Sequence, residues 1–397
     1  MEAQLTNNQL QTSKAYLDNL TALRGIAALL VVVFHGNEMI APFIKTETTF
    51  WFRKLYLMVD LFFILSGFIM CYVYEAGFAD PDKHNKIGSF LKARFARIYP
   101  LHFVTLMFSA LFIGITYILG KYEYLGVVGM AIFNVKSLFS NLLLLQSAHV
   151  EPIFTWNVPS WSISAEWIAY LLFPFLVVPF SKFNPIKTVL AIVFIFGLYA
   201  ILIFYISPNR PMLFPFLQTG YDLDVTFDWG FARGILGFTL GMCIYRMYVN
   251  QFLKAPLSNG WVLAGIAVLY SLYAHFNGSD FAAPLFFSVI LLSSVYGSKG
   301  INAFYENRIL QKLGDWSFSI YMWHLVLYTI VTSIAIGGMS SPPPDGPPGE
   351  PDYFGLTNIW IILPIYVGLT IAVGAFSFNY IERPSRLWIN SWGNKKG

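Results

Sequence analysis

The stretch Thr21-Ala-Leu-Arg24-Gly-Ile-Ala-Ala-Leu-Leu-Val-Val-Val-Phe-His35-Gly36 opens the first membrane-length apolar run of the chain, and it holds two ionisable groups that hydropathy does not explain. On a helix, the spacing from Arg24 to His35 covers roughly 16 Å along the axis and returns to within about 20° of one direction, so the two share a face. Each ionisable group at membrane depth costs on the order of 2.5 to 3.5 kcal/mol on insertion scales, so a matched pair reads as the lining of a polar path. The competing reading is a helix-start anchor for Arg24 and a hydrogen-bonded interhelical histidine for His35.

Working outward, 56% of the 397 residues are hydrophobic and 12% charged. The apolar residues recur in runs of about twenty, which excludes an ordinary soluble globule. The expectation is an all-α polytopic membrane protein with about ten transmembrane helices around a polar central path. The runs lie near 22–41, 56–75, 100–119, 161–180, 188–206, 229–248, 260–276, 281–298, 314–337 and 355–379. The shorter apolar piece from Ser137 to Gln146 reads as re-entrant or interfacial. Placing the N-terminus in the cytoplasm puts 18 of the 25 Lys and Arg on the inner face, and the even span count brings the C-terminus to the same side. The domain plan is a cytoplasmic segment at 1–21, a membrane domain at 22–380 and a short basic tail at 381–397. The Pro-rich segment Ser341 to Asp352 reads as an extended outer linker.

Cys71 and Cys243 both fall inside apolar runs, so neither a disulfide framework nor a metal site is expected. The polar first 20 residues lack a cleavable small-residue site, and no removed signal peptide is expected. The net charge of +4 comes from dispersed basic residues without a stripe of interleaved aromatics, which argues against nucleic acid. Phosphate loops, zinc motifs and a Gly-x-Ser-x-Gly elbow are missing from the sequence, which removes nucleotide hydrolysis, metal hydrolysis and serine-hydrolase chemistry.

Depth then sorts the polar residues. His35, Asp60, Glu166 and Arg233 all fall near one level of the outer leaflet, which resembles a site more than four independent anchors. Each also has a plainer reading. Asp60 and Glu166, the latter with Ser162 one turn before it and Ser164 beside it, suit helix N-termini, and Arg233 suits a counter-ion. On the inner side, Lys92-Ala-Arg94-Phe-Ala-Arg97 presents two guanidinium forks at i, i+3, a spacing that fits phosphate oxygens as well as positive-inside anchoring. His324, in Ser317-Phe-Ser319-Ile-Tyr321-Met-Trp323-His324, sits near mid-membrane among hydroxyl and indole donors and reads first as a hydrogen-bonded structural histidine.

A phosphate-ready inner mouth, joined by one helix face to a histidine and carboxylates, suits an acyl coenzyme A whose head stays at the arginines while its thiol arm extends toward His35. Histidine can take the proton of an acceptor hydroxyl at neutral pH, and a carboxylate such as Glu166 or Asp60 would fix its tautomer. Direct transfer and an acyl-histidine intermediate are both open at this point.

These same residues resemble acyltransferase family 3, the multipass bacterial membrane acyltransferases of cell-surface glycans. The resemblance spans almost the whole chain. It rests on Leu23-Arg24-Gly25 with His35, Asp60-Leu-Phe-Phe-Ile-Leu-Ser66-Gly67-Phe68, Arg94-Phe-Ala-Arg97-Ile-Tyr99-Pro100, Ser162-Ile-Ser164-Ala-Glu166-Trp167 and Tyr321-Met-Trp323-His324. It implies transfer of an acyl group, usually acetyl, from cytoplasmic acyl coenzyme A to a hydroxyl of an extracytoplasmic carbohydrate or lipid-linked saccharide. It also implies His35 and Glu166 as catalytic, and Arg24, Arg94 and Arg97 as contacts to the donor, which is a substrate and not a bound cofactor. Asp60 is expected as a third catalytic residue, with Arg233, Ser162, Ser164, Tyr321, Trp323 and His324 as supporting residues. No soluble C-terminal domain of the kind some members carry is expected after Glu382-Arg383-Pro384. Bacterial cytoplasmic-membrane residence and contact with lipids follow from the same resemblance. The rival class is a transporter that moves a glycan intermediate or small metabolite along the same path without chemistry.

Overall fold

The computed structural model describes residues 7–37, 48–80, 86–120, 131–210, 220–337 and 359–392. Among these residues the chain is helical and contains no strand. Ten long helices fall one in each of the predicted apolar stretches: α1 (Asn7–His35), α2 (Met58–Ala79), α3 (Lys86–Ile118), α4 (Ser160–Ser181), α5 (Pro185–Ile201), α6 (Gly230–Val249), α7 (Gly260–His275), α8 (Ala283–Tyr296), α9 (Arg308–Gly337) and α10 (Ile359–Ser377). Six helical segments are long and apolar enough to cross a membrane, or seven if the bent pair Asp280–Tyr296 and Lys299–Tyr305 is one span. Helix α6 falls short because it carries Arg233 and Arg246, and both are buried against carboxylates on α2. The exposed faces carry large apolar side chains, such as Leu190, Val193 and Phe194 on α5, a surface that suits lipid and not water. The Pro-rich segment from Ser341 to Asp352 lies outside the described residues.

Helix starts follow the local chemistry. The Asn184 side chain accepts from Lys187 N at 2.8 Å, with Pro185 opening α5, and Asn259 accepts from Trp261 N at 2.9 Å ahead of α7. These caps satisfy backbone donors that a helix start leaves open.

Two glycine contacts set the core. Lipid offers helices no hydrophobic reason to associate, so packing depends on close backbone approach at small residues. On α2 and α6, a Cβ at Gly67 would fall on the carbonyl of Phe238, and one at Gly241 on the carbonyl of Ile64. On α1 and α9, a Cβ at Gly25 would strike the backbone of Leu313 and Gly314, and one at Gly314 would strike Thr21. The second contact turns one face of α1, with Arg24 and His35, against α9.

Residues 378–391, which include the start of the segment read from sequence as a tail, continue α10 through a wider turn (Phe378–Glu382) into α11 (Arg383–Ser391). Lys92 of α3 holds its end by donating to the carbonyl of Trp392 at 2.7 Å. The piece between Ser137 and Gln146 forms one short helical turn, Leu138–Leu142, and buries Ser140, Asn141 and Gln146. Gln146 donates to Ser160 at the start of α4 at 3.0 Å.

Gly67→Ala is expected to destabilise the fold by about 1 to 3 kcal/mol through overpacking. Gly77→Ala, on the same helix with open space around it, should be neutral. Thermal unfolding in detergent compares the two, and equal melting temperatures would remove the close-approach argument.

Candidate active site

The polar residues separate into three groups, not one layer. The first is a buried ion pair. Arg233 Nε and Nη2 donate to the two Asp60 oxygens at 2.9 and 2.7 Å, and both side chains are almost fully buried (1% and 0% exposed). The guanidinium also faces the rings of Tyr56 and Trp161 at 5.4 and 5.2 Å. Both oxygens of Asp60 are therefore committed to a cation, and the carboxylate does not orient His35. The expectation that it does is corrected by this bidentate pairing, which a low-dielectric interior favours over a neutral imidazole contact.

The second group lines a cavity of about 130 Å³. Arg24 of α1, Arg94 and Arg97 of α3, Ser66 of α2, Glu166 and Tyr170 of α4, and Tyr321 of α9 all contribute to its wall, with Ser162 and Ser317. Glu166 is thus on the cavity shared with the arginines, whose wall includes neither Asp60 nor Arg233. Its carboxylate accepts from Ser66 Oγ at 2.8 Å and from Tyr170 Oη, and these hydroxyls lie 3.1 Å apart. Arg94 donates to Tyr74 Oη at 2.9 Å and stands over the Tyr74 ring. Arg24 makes only a long contact to the carbonyl of Gly314, at 3.5 Å. The Nε groups of Arg24 and Arg94 are buried with no hydrogen-bond partner. Arg97 is committed differently, as an ion pair with Glu382, which also accepts from Ser319 Oγ at 2.8 Å.

The third group is a pair of histidines. His35 Nδ1 lies 3.0 Å from the carbonyl of Val31 and 3.2 Å from His324 Nε2, and the ring centroids are 4.8 Å apart. His324 is fully buried, with its own Nδ1 2.5 Å from the carbonyl of Tyr321. His35 is not part of the cavity wall. Phe62 and Tyr321, with ring centroids 6.1 Å apart, line the cavity, and Tyr321 also packs on the His324 ring at 5.5 Å. Glu166 has no hydrogen bond to His35, so the carboxylate–histidine pairing expected from sequence is absent from this conformation.

The remaining predicted residues tie helices together. Ser162 Oγ and Tyr321 Oη lie 2.8 Å apart and both reach the carbonyl of Pro159. Ser164 donates to the carbonyl of Leu144 at 2.7 Å and meets Ser147 Oγ at 2.8 Å. Trp323 Nε1 donates to Ser377 Oγ at 2.9 Å, joining α9 to α10. Among the described residues, no group of three or more His, Cys, Asp or Glu is placed to hold a metal ion.

The sequence model of the acyltransferase family 3 domain matches residues 17–378, and so takes in all three groups. The chain belongs to acyltransferase family 3. As a member it is an acyltransferase, which decides between the enzyme and transporter alternatives. It is 26% identical over 335 residues to the acyltransferase MdmB of Streptomyces mycarofaciens, covering 78% of this chain and 79% of that protein. It is 24% identical over 403 residues to the O-acetyltransferase OatA of Staphylococcus aureus, covering 94% of this chain but only 58% of OatA. A 105-residue match at 37% identity to Protein 2 in picA locus of Rhizobium radiobacter covers 25% of this chain. No solved structure matches the chain.

Sequence reading missed Ser66, Tyr170 and Glu382 at this family 3 site. Tyr170 is four residues after Glu166 and therefore on the same helix face, a signal available from spacing. Glu382 gave no such signal, because its partner Arg97 is far away along the chain.

Asp60→Asn should cost about 3 to 5 kcal/mol by leaving the Arg233 guanidinium buried and uncompensated. The double change Asp60→Leu with Arg233→Met should recover most of it. Unfolding curves in detergent read both, and a stable Asp60→Asn protein would show that the pair is not a structural one.

Proposed function

We propose that this family 3 protein is a multi-pass O-acyltransferase of the bacterial cytoplasmic membrane with both termini inside. It moves an acyl group, acetyl by preference, from cytoplasmic acyl coenzyme A to a hydroxyl of an extracytoplasmic glycan or lipid-linked saccharide. The observation that carries this reading is the cavity at the Arg94 end, where Arg24 and Arg94 hold guanidinium donors with no partner in the protein. Buried donors without partners are costly, so a ligand rich in acceptor oxygens is the natural complement. The phosphates of coenzyme A supply such oxygens.

In this reading Arg24, Arg94 and Arg97 hold the donor's phosphorylated head, and the pantetheine arm runs along the α1 face toward His35. Phe62 and Tyr321 stand where that arm passes, so their rings turn aside when the donor is bound. The imidazole of His35 takes the proton of the acceptor hydroxyl while its oxygen attacks the thioester carbonyl carbon. The carbon–sulfur bond breaks, and the departing thiolate recovers that proton from the imidazolium. The products are the O-acyl saccharide and free coenzyme A. Glu166, held by Ser66 and Tyr170, is the carboxylate facing the donor cavity, and its catalytic role is assigned to the donor side of the reaction. The resemblance to an enzyme named O-acetyltransferase supports acetyl as the group moved.

Purified protein in liposomes, given labelled acetyl coenzyme A and an envelope saccharide, should release coenzyme A only with acceptor present. His35→Ala should lower that release by about 10² to 10⁴-fold, the usual worth of a positioned general base. Arg94→Ala should instead raise the donor KM about tenfold to a hundredfold with kcat little changed, as loss of a charged hydrogen bond does. Unchanged turnover in His35→Ala, or an Arg94→Ala defect confined to the acceptor, would reject the corresponding assignment.

A further inference from the structure

The contacts of the histidine pair determine where its protons sit. A backbone carbonyl only accepts, so His324 Nδ1, 2.5 Å from the carbonyl of Tyr321, carries a hydrogen. His35 Nδ1, 3.0 Å from the carbonyl of Val31, carries one for the same reason. A neutral imidazole has a single N–H, so the Nε2 atoms of both rings are bare. Protonating His324 at Nε2 would aim one N–H at another across 3.2 Å and set a charged ring against His35 in a buried site. The consistent arrangement has His35 Nδ1–H shared between the carbonyl of Val31 and the lone pair of His324 Nε2.

We propose that His324 is a positioning residue for His35: its bare Nε2 accepts the Nδ1–H of His35, which holds that ring in the tautomer whose Nε2 is free to act as the base. The inference rests on the reading of His35 as the base and names the group that orients it. A base is usually oriented by a third group, most often a carboxylate. Here the two carboxylates nearest in sequence expectation are engaged elsewhere, Asp60 by Arg233 and Glu166 by Ser66 and Tyr170. His324 fills the place with a neutral acceptor. When His35 takes the acceptor's proton on Nε2, its Nδ1–H becomes the donor of a charge-assisted bond to His324, so the contact is stronger in the charged state than before it. The His324 ring is itself fixed, through Nδ1 to Tyr321 and through its own carbonyl, which accepts from Tyr366 Oη at 3.0 Å.

Two variants and one spectrum test this. His324→Phe keeps a ring of similar bulk without an acceptor, and His324→Gln offers a carbonyl oxygen near the position of Nε2. His324→Phe should lower kcat about tenfold to a hundredfold, the usual effect of removing an orienting partner, with the donor KM unchanged. His324→Gln should restore most of that loss. Full activity in His324→Phe, or equal loss in both variants with donor KM raised, would overturn the proposal. In the native chain labelled with nitrogen-15 at histidine Nδ1 only, the resonance that His35→Gln removes should be of the protonated type. A resonance of the unprotonated type would overturn the proposal whether or not the His324 variants fold. If His35→Ala itself retains turnover, the reading of His35 as base fails instead, so the two failures are distinguishable.

Discussion

The approach of Gly25 to Gly314 is the contact on which the rest depends. A side chain at either position would run into the backbone of the partner helix, so α1 and α9 touch only because both residues lack one. Their contact fixes the rotation of α1. It brings Arg24 to the carbonyl of Gly314 and, further along the same face, sets His35 against His324. One helix therefore carries a group at the arginine-lined cavity and a group at the histidine pair, at a separation set by the helical rise.

Around that contact the charges divide by whether they are spent. Arg233 with Asp60, Arg246 with Glu75 and Arg97 with Glu382 are paired inside the protein. Such pairs neutralise charge that a membrane interior would otherwise penalise, and they hold α2 to α6 and α3 to the end of α10. Arg24 and Arg94 keep unspent donors and share the cavity with Glu166. What sets these two apart from the braces is a shared cavity and no carboxylate partner, since the braced Arg246 also has a buried Nε without a hydrogen-bond partner. The ion pair at Arg97 makes that residue both: its guanidinium lines the cavity, yet Glu382 holds it, so a phosphate arriving there meets a cation already partly neutralised.

Much of this was legible in the sequence, for reasons that can be stated. The apolar runs marked where helices would form because a lipid-facing helix needs continuous hydrophobicity. The Arg24–His35 spacing held because helical geometry fixes a face once the helix exists. Depth alone did not hold as a guide to partners. His35, Asp60, Glu166 and Arg233 were expected as one cluster from their distances to helix ends. Depth leaves the rotation of each helix undefined, and the rotations set by Gly67, Gly241, Gly25 and Gly314 send them to three places. Asp60 and Arg233 found each other, Glu166 turned to Ser66 and Tyr170, and His35 met His324, which had read as a structural residue. The last helix hid its role most completely, since the segment from 381 onward is basic and reads as a short tail while Glu382 itself is buried against Arg97.

The central claim is that a donor anchored at the arginine cavity presents its acyl group to the imidazole at the other end of the same α1 face. A cryo-electron microscopy structure of the chain with a non-hydrolysable thioether analogue of acetyl coenzyme A tests this most directly. The account predicts phosphate density on Arg24 and Arg94, the Phe62 and Tyr321 rings displaced, and the acetyl carbon within reach of His35 Nε2. Phosphate density away from these arginines, or an acetyl group on the far side of an undisturbed Tyr321 from His35, would contradict it.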